Sequence, residues 1–434
     1  MRKILLAAVC AAGLFGASAV SAQPTVDQLA KAPADAQRYT ILSRGGTHGH
    51  SAMWVSADGT RMSRDSMNLR GQGFEIEEAI AAGPDHMPAK VAVRGFTPNG
   101  DAAETFSISA ANARWKSQVD AGGAPYKGPA MYIPAGGGLL LGQAVLIEAL
   151  LASPDHSLPL LPGGMARAEK LTEATVGTGA NQKKVICWAV SGLSNTPAPV
   201  WATEDGKFFG AIFGLALLPD GYESALEPLN KAQDEAMAAR SPALVKALLK
   251  TPAGPVAFTH VRAFIDGKRF VEDETVIVDK GVITGVGPSA STAVPAGAQV
   301  IDGKGETLTP GLWDSHMHVG DDSTGPMLLS LGITSARDPG NDNLLTIARA
   351  KRRAAGELLS PKIYASSLID GKGPNTAQVA TAVTSEAEAI LAVDKAKADG
   401  VSGVMFDGTM NPAWISPAAA EARKLGLQVH GHLP

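Results

Sequence analysis

The chain has 434 residues, 45% hydrophobic and 18% charged, with a formal net charge of -4. This apolar content and small charge exclude a disordered chain, and with no basic excess to neutralise phosphates nucleic acid is not an expected partner. Two cysteines are too few for a disulfide scaffold, and the length predicts about two to four domains.

Residues 1–22 read as a signal peptide. Arg2 and Lys3 form a positive n-region, Ile4 to Phe15 an apolar stretch too short to span a bilayer, and Val20-Ser21-Ala22 a small-residue cleavage site. Cys10 has no small residue just before it, so a lipoprotein signal is not expected. Cleavage after Ala22 would leave 412 residues, shift the charge to -6 and place the protein in a periplasm or outside the cell, with no membrane anchor.

Residues 23–222 read as a β-rich N-terminal domain. Asp58-Gly59, Pro98-Asn99-Gly100-Asp101 and Asp205-Gly206 mark turns between strand-like runs, a pattern of antiparallel hairpins. The apolar stretch Gly138–Ala152, broken by Gln143 and Glu148, predicts a buried helix around Gln143–Leu151. Gly136-Gly137-Gly138 before it lacks the lysine and hydroxyl of a phosphate loop and reads as a turn. Cys187, in Val185-Ile186-Cys187-Trp188, reads as a core residue. His48 and His50 lack a strand–helix context, and His86, His156 and His260 are isolated. The pattern does not choose between a cap over a neighbouring domain and a surface for homo-oligomerisation.

Residues 223–254 change to alanine, leucine, lysine and glutamate, with Leu226, Leu229, Ala232 and Met237 at helical spacing, and read as a helical linker. Residues 255–310 return to strands, clearest at 256–263, 275–278 and 282–286. From 311 to 434 short apolar strands (312–316, 333–337, 362–368, 403–406, 427–432) alternate with helical runs (342–356, 385–398, 416–424), which predicts βα units and a parallel sheet.

The chemistry concentrates at two strand ends. In Thr309-Pro310-Gly311-Leu312-Trp313-Asp314-Ser315-His316-Met317-His318, strand alternation puts His316 and His318 on one face, where two imidazoles suit zinc or another divalent metal. Val429-His430-Gly431-His432 ends the fifth strand, and alternation alone does not choose between its histidines.

Residues 256–434 resemble the amidohydrolase superfamily of metal-dependent hydrolases, in particular secreted bacterial members with an extra N-terminal β domain. The likeness rests on Thr275-Val276-Ile277-Val278-Asp279-Lys280-Gly281-Val282-Ile283, on Ile301-Asp302-Gly303-Lys304-Gly305 followed by the Thr309–His318 motif, and on Gly332-Ile333-Thr334-Ser335-Ala336-Arg337-Asp338. It implies a small β-sandwich segment at 255–310, and at 311–434 an incomplete (β/α)8 TIM barrel of about five strands. The implied activity is hydrolysis of C–N bonds in small amides, cyclic amides or peptides by metal-activated water. The implied ligands are His316, His318 and His432. Met405 stands where binuclear members carry a bridging lysine, so one Zn2+ ion is expected rather than two, with Asp407 a candidate substitute ligand. The family's sixth-strand histidine and eighth-strand aspartate, its general base, have no counterpart, so the chain is expected to be the front portion of a longer protein with an incomplete catalytic set. The alternative is a non-catalytic secreted binding protein that uses the N-terminal β domain.

Overall fold

The computed structural model describes residues 24–432 except 44, 137 and 139. The expected signal segment, 1–22, lies outside the described residues, as do Gly137 and Leu433-Pro434. Among the described residues no helix is long and apolar enough to cross a membrane.

Residues 37–219 build a single sheet of sixteen described strands, antiparallel except for one short parallel pair at its edge. The turns read in the sequence are present: Gly59, Gly100 and Gly206 take φ of 85°, 109° and 77°, which a residue without Cβ adopts freely. The first strand, Gln37–Ser43, is central. It pairs with Gly46–Val55 on one side and Leu215–Pro219 on the other, Tyr39 lying opposite Pro219.

Helix α1 (Leu141–Ala152) lies against this sheet, and α2 (Leu226–Leu248) covers the opposite face of part of it. Alternate residues therefore divide between two cores. Val200, Ala202, Phe208 and Leu217 join the core around α1, whereas Trp201, Phe209, Ala216 and Leu218 join the core that includes Leu229 of α2. Side chains alternate across a strand, so strands covered on both faces read as unbroken apolar runs. Leu141, Ala144, Ile147 and Leu150 of α1 are wholly buried, each large side chain stabilising by about 1.5–3 kcal/mol. The segment expected to be a linker is thus docked on the first sheet. Gln233 of α2 accepts from Trp201 Nε1 at 3.3 Å and donates to the Ile212 carbonyl at 3.1 Å. Cys187 is fully buried in this second core, and burial pushes its thiol up to about 12.

Residues 256–308 form one five-stranded layer in which Val256–Ile265, Arg269–Asp279 and Val282–Pro288 are antiparallel, and Gln299–Asp302 and Thr307–Leu308 run parallel to the first. The expected sandwich segment is a single sheet here, and its Val282, Ile283, Val286 and Val300 are exposed.

Beyond residue 311 five parallel strands follow in chain order: Leu312–Asp314, Ile333–Asp338, Lys362–Gly371, Gly403–Phe406 and Gln428–Gly431. Helices α3 (Thr324–Ser330), α4 (Asn343–Ala354), α5 (Glu386–Asp399) and α6 (Pro412–Lys424) connect them. Their limits follow capping chemistry. Asp342, Ser385 and Asn411 accept backbone N–H groups at the starts of α4, α5 and α6, and Gly400 ends α5 with φ of 94°. The short α3 and the strand Thr381–Val383 carry too few apolar positions for periodicity to show them. The described sheet and its connections are those of a βα series.

Candidate metal centre at the strand ends

Each of the five parallel strands has a polar residue at or just beyond its C-terminal end, where open α/β sheets and βα barrels place their sites. These residues are His316 and His318, Asp338, Asp370, Asp407, and His432.

The first strand ends at Asp314, so His316 and His318 lie in the following loop and the strand-alternation argument is corrected. Their rings nevertheless come together, with centroids 5.2 Å apart at 82°. The loop is held by backbone and carboxylate contacts. Asp314 accepts the His316 N–H, Met317 N–H donates to the Arg337 carbonyl, and Asp338 accepts the Val319 N–H. Arg349 of α4 donates to the carbonyls of Val319 and Gly320, at 3.0 and 2.8 Å. Gly340 leaves room for the ring, since a Cβ there would lie 2.7 Å from His318 Cε1.

His432 follows the fifth strand, its N–H bonded to the Phe406 carbonyl, and its ring centroid lies 5.6 Å from that of His316. His430 stands opposite Met405 in the sheet register and has both ring nitrogens buried without a hydrogen-bond partner among the described residues. Burial first, then Arg337 and His316, pulls its pKa down to about 4. Burial also lowers His316, helped by His318, His432 and Arg337. Both shifts favour the neutral imidazole, the form that ligates metal.

Met405 is buried beside Leu368 and Ala377. Asp407 is nearly buried, with Oδ1 3.9 Å from His432 Nε2 and Oδ2 2.9 Å from Arg70 Nη2. Asp370 is fully buried and accepts N–H groups from Gly371, Ala377 and Thr409, tying the loops after the third and fourth strands. Sequence reading missed Arg70, Asp338, Gly340 and Asp370, because their roles rest on contacts between loops distant in the chain. Among the described residues no group of three or more His, Cys, Asp or Glu side chains is arranged as a ready-made metal site.

A cavity of about 680 Å³ opens beside His318. Phe213 and Met237 wall it from the N-terminal side, and Asn341, Leu345 and Val379 from the parallel-sheet side. The other histidines stand apart from this arrangement. His48 shares a hydrogen bond with Ser43 Oγ at 2.8 Å, His156 packs edge-on against Trp188, and His260 pairs with Asp273. The turn before α1 directs the Gly136 and Gly138 N–H groups at Glu104 and Glu78, so its donors serve the protein's own carboxylates rather than a phosphate.

No protein-family profile matches the chain. It is 29% identical over 118 residues to an imidazolonepropionase of Idiomarina loihiensis, covering 26% of this chain and 29% of that protein. It is 38% identical over 76 residues to an imidazolonepropionase of Geobacillus thermodenitrificans, covering 16% of this chain and 18% of that protein. Among solved structures, a putative prolidase from Bifidobacterium longum aligns over 42% of this chain and 50% of that chain, with a TM-score of 0.38 and 24% identity. The chain therefore spans less than a third of the curated relatives it matches.

Proposed function

We propose that this chain carries the metal-binding front of a hydrolase that cleaves C–N bonds in small amide, cyclic amide or peptide-like substrates. The single observation that carries this reading is the gathering of His316, His318 and His432 at the ends of the first and fifth parallel strands, with ring separations of 5.2 and 5.6 Å. Tetrahedral zinc with Zn–N of about 2.1 Å sets two bound imidazole centroids roughly 5 Å apart. Among the described residues these side chains are not pre-arranged as a ligand group, so holding an ion would require the imidazoles to turn about their side-chain torsions.

One Zn2+ ion, or another divalent ion, is the expected occupant. Met405 supplies no charge to bridge a second ion, and its burial beside Leu368 keeps it in the core. When bound, such an ion would acidify a water and polarise a carbonyl. The chain's own part is to hold neutral imidazoles, to keep the His318 loop fixed through Arg349 and Asp338, and to offer the cavity beside His318 to the substrate. No general base is assigned. We read the five ordered strands as part of a (β/α)8 barrel, and residues 1–22 as a signal that sends the mature chain to the periplasm or outside the cell; the mass of the mature chain tests the latter. The alternative of a binding protein built on the N-terminal domain gains no support from the relatives.

Zinc content of the purified mature chain tests the metal assignment. About one equivalent, lost in His316→Ala, is expected; less than roughly a tenth, unchanged by that substitution, overturns it. Turnover of N-acyl amino acids, dipeptides or cyclic amides that needs the metal and disappears in His318→Ala would support the chemistry.

A further inference from the structure

We infer that Arg70, on a hairpin tip of the N-terminal β domain, is a positioning residue for the histidine site: it clamps Asp407 beside His432 and keeps that carboxylate out of the ion's ligand set. This rests on the metal reading given above.

The strands Arg61–Leu69 and Gln72–Ala82 are joined by the two residues Arg70 and Gly71, with φ of 55° and 79°. A two-residue turn with both φ positive favours Asn, Asp or Gly at its first position. Arginine gives up that preference, and its side chain spans to the other region of the protein. Nη2 donates to Asp407 Oδ2 at 2.9 Å and Nε to the Asn375 carbonyl at 3.2 Å. Gly71 lets the tip approach, since a Cβ there would sit 3.0 Å from Asn375 Oδ1. Asp407 Oδ1 accepts the Gly408 N–H at 2.8 Å. Each carboxylate oxygen thus has a partner, the guanidinium on Oδ2 and an N–H on Oδ1, and Oδ1 lies 3.9 Å from His432 Nε2. A nearly buried carboxylate needs a counter-charge. Without the guanidinium, an ion held by His432 would become the available one.

Co2+ added to the metal-stripped full chain serves as the probe, followed by visible absorption and by titration. Arg70→Asn removes the charge while suiting the left-handed turn. It is expected to lower the absorptivity of the d–d bands, as an added oxygen ligand does, and to raise Co2+ affinity roughly tenfold, about 1.4 kcal/mol. Arg70→Lys keeps the wild-type spectrum, and Asp407→Asn in the Arg70→Asn background restores it. A spectrum and affinity unchanged in Arg70→Asn overturn the inference, as does a change that persists in the double variant. If His316→Ala binds Co2+ as tightly as the wild type, the ion is not on the histidines, and the metal reading falls together with this one.

Discussion

The antiparallel and parallel regions treat their polar side chains in opposite ways. The first buries Asp65, Glu78 and Glu104 within the sheet that holds α1 and meets the two glutamates with N–H groups of the glycine turn. The second sets His316, His318 and His432 at strand ends, all exposed, with carboxylates behind them to fix the loops. Polar groups enclosed by one's own backbone serve architecture; polar groups left open at strand ends are free to take a ligand. Arg70 and the cavity beside His318 are two of the places where the two regions meet.

The contrast breaks most visibly at Asp322. This buried carboxylate accepts from Ser241 of α2 at 2.6 Å and pairs with Arg349 and Arg352 of α4 at 3.4 and 2.8 Å. Asp322→Ala strands Arg349 in a buried position and is expected to cost about 3–5 kcal/mol in urea unfolding. A loss below about 1 kcal/mol would mean that the two regions are not joined through this network.

Gly340→Ala addresses the site alone. Its new methyl meets the His318 ring, so metal affinity is expected to fall by about 10–100-fold while the unfolding midpoint stays close to wild type. Equal metal affinity would show that the His318 ring has room to move aside.

Glu78 sharpens the architectural side. Burial, reinforced by Asp65, pushes it from the ordinary 4.5 up to about 8. The folded state therefore holds a proton that the unfolded chain releases near 4.5. The stability carried by this site is full below that value and is lost as pH rises through about 8. Urea midpoints should decline over that interval in the wild type and decline less in Glu78→Gln. Parallel profiles would remove Glu78 as the cause.

The smallest effect concerns Phe213, exposed on the cavity wall. If substrate occupies that cavity, Phe213→Ala raises KM about three- to tenfold with kcat unchanged, as the loss of one apolar contact does. An unchanged KM would locate the substrate elsewhere.

Much of this arrangement is legible in the sequence because it is local. The glycine turns, the apolar α1 and the start of α5 at Ser385 depend on residues within a few positions of themselves, and the strands read at 403–406 and 333–337 follow from short apolar runs, whereas α6 begins at Pro412, capped by Asn411, four residues before the helix read at 416–424. The histidine motifs are legible because loop and strand end lie next to each other in the chain, although the loop beginning after Asp314 shows that the face argument reached the right residues by the wrong geometry. Arg70 is not legible. Its partner lies 337 positions away, and the one local sign is an arginine in a turn that prefers asparagine. Gly340 and Asp370 are silent for the same reason, since their neighbours are fixed by sheet order.

The seam at Gln37–Ser43 has a kinetic meaning. Nearly all other neighbours in the first sheet are consecutive in the chain, but Ile41 meets Leu217 across most of the domain. Ribosomal synthesis must proceed past residue 219 before this strand finds its second partner, and until then two hairpin ladders present open edges to whatever surrounds them. A short β-strand peptide matching Leu215–Pro219 would compete for that vacant edge in the nascent chain and find nothing to bind once the sheet has joined.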